Sequence, residues 1–170
     1  MEPKRARESL SVTSVHVLPN DTNNHGTFFG GKLMMYVDNI AAISATRHAR
    51  SLVVTASIDS VDFLRPIFAG SSVCLEAFVT WSHHTSMEVF VKIIDENMTT
   101  GERNLCTTCF LTFVAINENS QPIPVPKVIP ENEEEQLLYS SAEKRYLNRK
   151  TRRQETKQFT SKLTLRKPWE

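Results

Sequence analysis

Several things are missing from this chain of 170 residues, and each removes a class of answer. No apolar run approaches the roughly 20 residues that a membrane-spanning helix needs. No charge of one sign dominates. The formal net charge is +1, so no overall field argues for nucleic acid or an acidic membrane as partner. The three cysteines, Cys74, Cys106 and Cys109, are too few and too odd in number for a disulfide framework. Cys106 and Cys109 stand at Cys-x-x-Cys spacing, but inside a strand pattern and without a second ligand pair. At that spacing their side chains point to opposite faces, so core packing is the expectation rather than zinc or redox chemistry. There is no Gly-x-Gly-x-x-Gly, no phosphate-binding Gly-Lys-Ser and no Gly-x-Ser-x-Gly elbow. There are no internal repeats. Met1 to Glu8 is charged and no apolar signal-peptide core follows, so a cytoplasmic location is expected.

What is present is one domain's worth of regular pattern followed by a tail. Leu10, Val12, Ser14, His16 and Leu18 alternate with Ser11, Thr13, Val15 and Val17 as a first strand. Residues 31–48 carry Leu33, Met34, Val37, Ile40, Ala41, Ile43 and Ala45 at helical spacing, apolar on most of the surface, with small residues that let the helix lie close to a sheet. Strands follow over 52–60, 72–81, 86–98 and 102–116, with a proline-held break at 63–67 and a turn at Met98–Gly101. One long helix inside a run of meandering strands indicates an α+β fold, an antiparallel sheet packed on that helix. Residues 121–130 hold four prolines and read as an extended linker. Residues 131–153 read as a second helix, acidic at its start and basic at its end, and the remainder reads as a mobile tail.

The most informative stretch is 21–38, Asp-Thr-Asn-Asn-His-Gly-Thr-Phe-Phe-Gly-Gly-Lys-Leu-Met-Met-Tyr-Val-Asp. A turn-rich loop runs through Gly30 and Gly31 into the start of the central helix, which presents backbone N–H groups at its positive end. Asp38 comes about two turns later on the same face. A carboxylate within an apolar helix is costly to bury unless chemistry or a partner uses it. Open N–H groups can hold a developing oxyanion, and a carboxylate can activate water or attack, so the pattern points to attack on a carbonyl. The alternative is a buried ion pair from Asp38 to Arg47 or Arg65. Gly31 and Asp38 are roughly 10 Å apart along the helix, whereas a reacting carbonyl must be about 3 Å from each group. Two copies of the helix side by side would solve this, so a dimer is the smallest expected catalytic unit.

This loop and helix resemble those of the hot-dog-fold acyl-CoA thioesterases, in particular the bacterial acyl-CoA hydrolases related to the mammalian cytosolic acyl-CoA hydrolase. Supporting matches are Val61-Asp62-Phe63-Leu64-Arg65-Pro66-Ile67, Gly70-Ser71-Ser72-Val73 and Phe110-Leu111-Thr112-Phe113-Val114-Ala115. The resemblance spans roughly residues 8–127 and implies a sheet wrapped around one long helix, with 128–170 as a helical, basic extension outside it. It implies hydrolysis of fatty acyl-CoA to free acid and coenzyme A, without metal or organic cofactor. It also implies a homo-oligomer built from dimers, a trimer of dimers in this family. Gly30, Gly31 and Asp38 take the roles given above, and the resemblance adds Asn24 beside the reacting carbonyl or its water. It makes Arg65, Thr85 and Ser86 candidates for the nucleotide end of coenzyme A, whose phosphates favour arginine and N–H donors.

Rival readings are weaker. A hot-dog hydratase would want a His partner for Asp38 in the motif. A non-catalytic acyl-CoA sensor of the repressor type would carry a DNA-binding segment, and the N-terminal arm is too short for one. His25, His83 and His84 lack further ligands at metal spacing and read as solvated loop residues. The basic stretch 144–153 reads as a solvated helix face.

Overall fold

The computed structural model describes residues 1–169. The chain runs β1 (Lys4–Arg5), β2 (Ser11–His16), α1 (Gly30–Ala49), β3 (Leu52–Phe63), β4 (Ser72–Ser82), β5 (Ser86–Glu96), β6 (Arg103–Ile116), β7 (Val128–Ile129) and α2 (Glu133–Thr160). Five strands form an antiparallel sheet in the order β2-β4-β5-β6-β3, while β1 and β7 make a separate two-residue parallel pair. This is the α+β arrangement that the strand-helix-meander order predicts.

Strand alternation assigns the two faces of the sheet. The cross-strand pairs Met87–Phe113, Val89–Leu111 and Val91–Cys109 put one buried row against α1. The helix answers with Leu33, Val37, Ile40, Ala41, Ser44 and Ala45 on a single stripe. Only that stripe is buried. Ile43, counted in the sequence among the apolar positions of a helix apolar on most of its surface, is about half exposed (50%), as is Met35 (51%). Cys109 belongs to the buried row, and burial pushes its thiol up to about 12. Cys106 falls where β6 slips register against β5, and it too is buried.

The opposite face carries α2, and here the structure corrects the sequence reading. The 144–153 stretch is not a solvated basic face. Arg145 makes a two-pronged bond to Glu88 (3.0 and 2.7 Å) and lies 4.2 Å over the Phe110 ring. Arg149, almost fully buried, reaches Asp59 at 2.9 Å, and Arg152 reaches the same carboxylate at 2.6 Å. Thr80 and Thr112 donate to Glu88 and Asp59, so both carboxylates are well supplied with donors. His83 stacks on Tyr146, 4.7 Å between ring centres, instead of standing free in its loop. The helix also runs on to Thr160, through residues expected to be mobile.

The proline-rich segment is extended but not a loose linker. Its Ile123 and Val125 amides donate to Ala115 and His84 carbonyls, and Val125 and Val128 are buried. At its centre the Pro126 carbonyl accepts a bond of 3.0 Å from Nε2 of His48, a fully buried side chain near the end of α1. Lys4 closes the cluster by donating to the His48 carbonyl at 2.7 Å. Because a carbonyl can only accept, Nε2 carries the proton, and Nδ1 is left buried without a partner. Among the described residues no helix is long and apolar enough to cross a membrane.

Two outcomes follow from this packing. Burial holds the His48 pKa below its ordinary value of 6.5. The unfolded chain therefore takes up the proton first as pH falls, so stability is complete above about 6.5 and declines below it, by up to ~1.4 kcal/mol per pH unit. Denaturant titrations between pH 7.5 and 5 should show this slope in the wild type and a flatter one in His48→Gln. Equal slopes would remove His48 as the cause. Glu88→Gln should cost on the order of 3 kcal/mol, because Arg145 and Arg149 lose their buried carboxylate. Protease cleavage near residue 131 should rise together with the fall in thermal midpoint.

Candidate active site

The loop before α1 is built by short polar bonds. Buried Asp21 accepts from the Leu18 amide at 2.9 Å and from the Lys32 ammonium. The Lys32 bond, helped by the Leu18 amide, holds its carboxyl below the ordinary range. The Asp21 carbonyl accepts from the Phe29 amide (2.8 Å), and the Ile67 carbonyl from the Phe28 amide (2.8 Å). Between these anchors Asn23 accepts from the amides of His25 and Thr27. Gly26, at φ 73°, turns the loop tip in the left-handed region that glycine enters at no steric cost.

This leaves the start of α1 open. Its N-cap, Phe29, offers no side-chain cap, and the first turn holds no acidic residue, although most helices satisfy these amides with Ser, Thr, Asp or Asn. Phe29's carbonyl takes the Lys32 and Leu33 amides. Neither the Gly30 nor the Gly31 amide has a protein acceptor among the described residues. A Cβ on Gly31 would lie 2.7 Å from the Phe29 ring, whereas one on Gly30 would find ordinary contact distance to Phe63. Gly30 lines a cavity of about 350 Å³ together with Asn23, Phe28, Leu33, Arg65 and Thr107.

Asp38 stands apart from that cavity. The half-buried carboxylate accepts from the Thr55 hydroxyl on β3 at 2.9 Å. Neither arginine suggested as its ion-pair partner reaches it: Arg47 donates to the Leu10 carbonyl and Ser11, and Arg65 to Asn104. Asp38 is thus a half-buried carboxylate held by a β3 hydroxyl, with no cation beside it among the described residues.

Of the other sequence candidates, Asn24 sits exposed at the loop tip, and its neighbour Asn23 is the one on the cavity wall. Arg65 lies on that wall too. Thr85 and Ser86 do not join it. They lie at the start of β5, where Ser86 pairs with Val114, while Phe63 beside the cavity pairs with Thr107. Seven residues along β6 separate the two ends by roughly 23 Å, so one chain cannot bring Arg65 and Ser86 to the same phosphate. Thr55 was missed in the sequence because it reads as an ordinary strand threonine; only the strand's position beside α1 brings it to Asp38.

The description of the thioesterase superfamily matches residues 25–102. An acyl-CoA thioester hydrolase of Bacillus subtilis, itself described as uncharacterized, is 54% identical over 168 residues, covering 99% of this chain and 98% of that protein. The chain belongs to the thioesterase superfamily. Its fold is the hot-dog, one long helix held in an antiparallel sheet. Among solved structures, this thioesterase matches the Staphylococcus aureus acyl-CoA hydrolase bound to butyryl coenzyme A, coenzyme A and its disulfide. The TM-score is 0.90 with 43% identity, covering 93% of this chain and 96% of that one. Alanine variants of the S. aureus enzyme at an aspartate, a threonine and an asparagine have also been solved. In that enzyme the aspartate follows the asparagine by fifteen residues and precedes the threonine by seventeen. A hexameric acyl-CoA thioesterase matches with a TM-score of 0.87 and 49% identity, covering 89% of this chain and 97% of that one. The rat cytosolic acyl coenzyme A thioester hydrolase is 32% identical over 158 residues, and the match spans only 41% of its length.

Proposed function

We propose that this thioesterase hydrolyses acyl-CoA to the free acid and coenzyme A, using no metal or organic cofactor. The observation that carries the reading is Asp38: a carboxylate with a hydroxyl partner and no cation, about two turns along the helix from N–H groups with no protein acceptor. Water adds to the thioester carbonyl while Asp38 takes its proton through the oxygen that Thr55 leaves free. The Gly30 and Gly31 amides hold the oxyanion; as it collapses, the C–S bond breaks and the leaving sulfur takes the proton back from Asp38, giving the thiol and the free acid. We assign the polar residue beside the reacting centre to Asn23 rather than Asn24. It lines the cavity with Gly30, and Asn23, Asp38 and Thr55 repeat the fifteen- and seventeen-residue spacings of the altered S. aureus positions.

The site is shared between two copies, with the amides of one chain facing Asp38 of the other. Among the described residues the outer edge of β3 has no strand partner, and Met35, Val54 and Ile58 nearby are apolar and exposed, which suits a second copy at this edge. Such dimers assemble further into a hexamer, the state named for the similar solved thioesterase. The cytoplasm is the proposed location, in keeping with free cysteines and the cytosolic mammalian relatives. Residues 8–127 are proposed to form the catalytic domain and 128–170 its C-terminal extension. Arg65 is proposed to meet the coenzyme's phosphates at the cavity mouth. Thr85 and Ser86 would contact coenzyme A only when it is bound to a neighbouring subunit.

Thiol release from acyl-CoA esters of increasing chain length tests the activity. Asp38→Asn should lower kcat at least about a hundredfold, with thermal midpoint and light-scattering mass unchanged. Thr55→Val should lower kcat less, about tenfold, since it loosens one hydrogen bond to the base. Near-normal turnover in a folded Asp38→Asn would remove Asp38 from the mechanism.

A further inference from the structure

The buried row of β6 that faces α1 reads Thr107, Cys109, Leu111, Phe113, Ala115. Thr107 holds its only oxygen-bearing side chain, and its hydroxyl is buried without a hydrogen-bond partner among the described residues. Strand pairing does not require a hydroxyl there, and an unmet buried hydroxyl costs about 1–3 kcal/mol. A valine would fill the same space without that cost. Thr107 lies on the wall of the cavity that Gly30, Asn23 and Arg65 also line. Thr27 adds a second hydroxyl, already bonded to Asn23, and the rest of the wall is apolar, from residues such as Phe28, Leu33 and Ile67.

We infer that Thr107 is a positioning residue that hydrogen-bonds an amide of the substrate's pantetheine arm. The inference rests on the acyl-CoA reading above and adds a residue to it. A fatty chain would favour an unbroken apolar wall, because each buried polar group that it leaves unmet is a loss. This wall alternates apolar surface with Asn23, Thr27, Thr107 and Arg65, and the pantetheine arm alternates methylenes with two amides between phosphate and sulfur. With phosphates at Arg65 and the thioester at the Gly30 amide, the arm lies along the cavity and its amides pass the Thr107 hydroxyl. That hydroxyl is shielded from solvent, so entry of the arm moves the rim side chains Phe63 and Leu64, which are 60% and 55% exposed. The chain crossing beside Thr107 stays fixed meanwhile, since the Leu64 and Arg65 amides both bond the Cys106 carbonyl.

The test compares the full-length wild type with Thr107→Val and Thr107→Ser. It measures steady-state hydrolysis of butyryl-CoA, calorimetric binding of coenzyme A, and thermal midpoint. In Thr107→Val, KM and the coenzyme A Kd should both rise about three- to tenfold, the loss of one neutral hydrogen bond. The kcat should stay within about twofold, because chemistry proceeds at Gly30 and Asp38. The thermal midpoint should hold or rise, since an unmet hydroxyl has gone. Thr107→Ser keeps the hydroxyl and should restore KM and Kd. Unchanged KM and Kd in the valine variant would overturn the assignment, as would a serine variant as impaired as valine. Coenzyme A binding needs no turnover, so the two readings fail separately. A wild type that binds coenzyme A but hydrolyses nothing sinks the thioesterase reading alone. An active wild type with an unaffected valine variant sinks Thr107 alone.

Discussion

A straight helix advances 1.5 Å per residue, and this fixed rise governs the arrangement. The open amides at Gly30 and Gly31 and the carboxylate at Asp38 ride on one rigid rod, roughly 10 Å apart. No side-chain rotation of a single aspartate closes that gap onto one carbonyl while the amides keep contact. A second, antiparallel copy of α1 does close it. In such a pair, residues equidistant from the two-fold axis face each other, so an axis passing between Met34 and Met35 sets Gly31 of each copy opposite Asp38 of the other. Met35 is half exposed in the single chain, as an axis-side residue awaiting its mate should be. With the proposed shared site, the exposed stripe of α1 is the surface on which the second copy packs.

The same constraint explains why the loop before α1 is pinned so firmly. An oxyanion site gains only from donors already in place when charge develops. Asp21 ties the loop to Leu18, Phe29 and Lys32, and Phe28 is tied to Ile67, so the first turn of the helix cannot drift. Leaving the N-terminus without a cap gives up about 1 kcal/mol of helix stability. The twenty-residue helix recovers this through the buried stripe from Leu33 to Ala45.

How much of this could be read from the sequence differs by residue, for physical reasons. The β-strands and α1 were legible because alternation and 3.6-residue periodicity report which side of an element is buried. Gly30, Gly31 and Asp38 were legible because their relation lies within one helix, where spacing is geometry. Thr55 was not, since its link to Asp38 crosses seventeen residues and depends on where β3 lies. Asn23 and Asn24 were inseparable in sequence, because both are turn formers; the loop's internal bonds put one on the cavity wall and one at the tip. The arginines of α2 misled the reading for a related reason. A basic helix face looks solvated until its carboxylates, Asp59 and Glu88, are found 57 to 93 residues earlier, on β3 and β5.

That cluster has a role that burial energy alone does not explain. A buried ion pair roughly offsets its own desolvation, and apolar residues of equal volume often hold a helix as well or better. What charge adds is direction. Arg145, Arg149 and Arg152 follow at steps of four and three, one face of α2, and each reaches a fixed oxygen on the sheet. An apolar face could slide by a turn or rotate and lose little. Three arginines directed at two carboxylates allow one register, and Arg145 over Phe110 with Tyr146 against His83 enforces the same one. Among the described residues, those beyond Arg152 are exposed, so their direction is set by the anchored part of the helix. The ion network therefore acts as an aiming device. It fixes where the exposed end of α2 points from each chain.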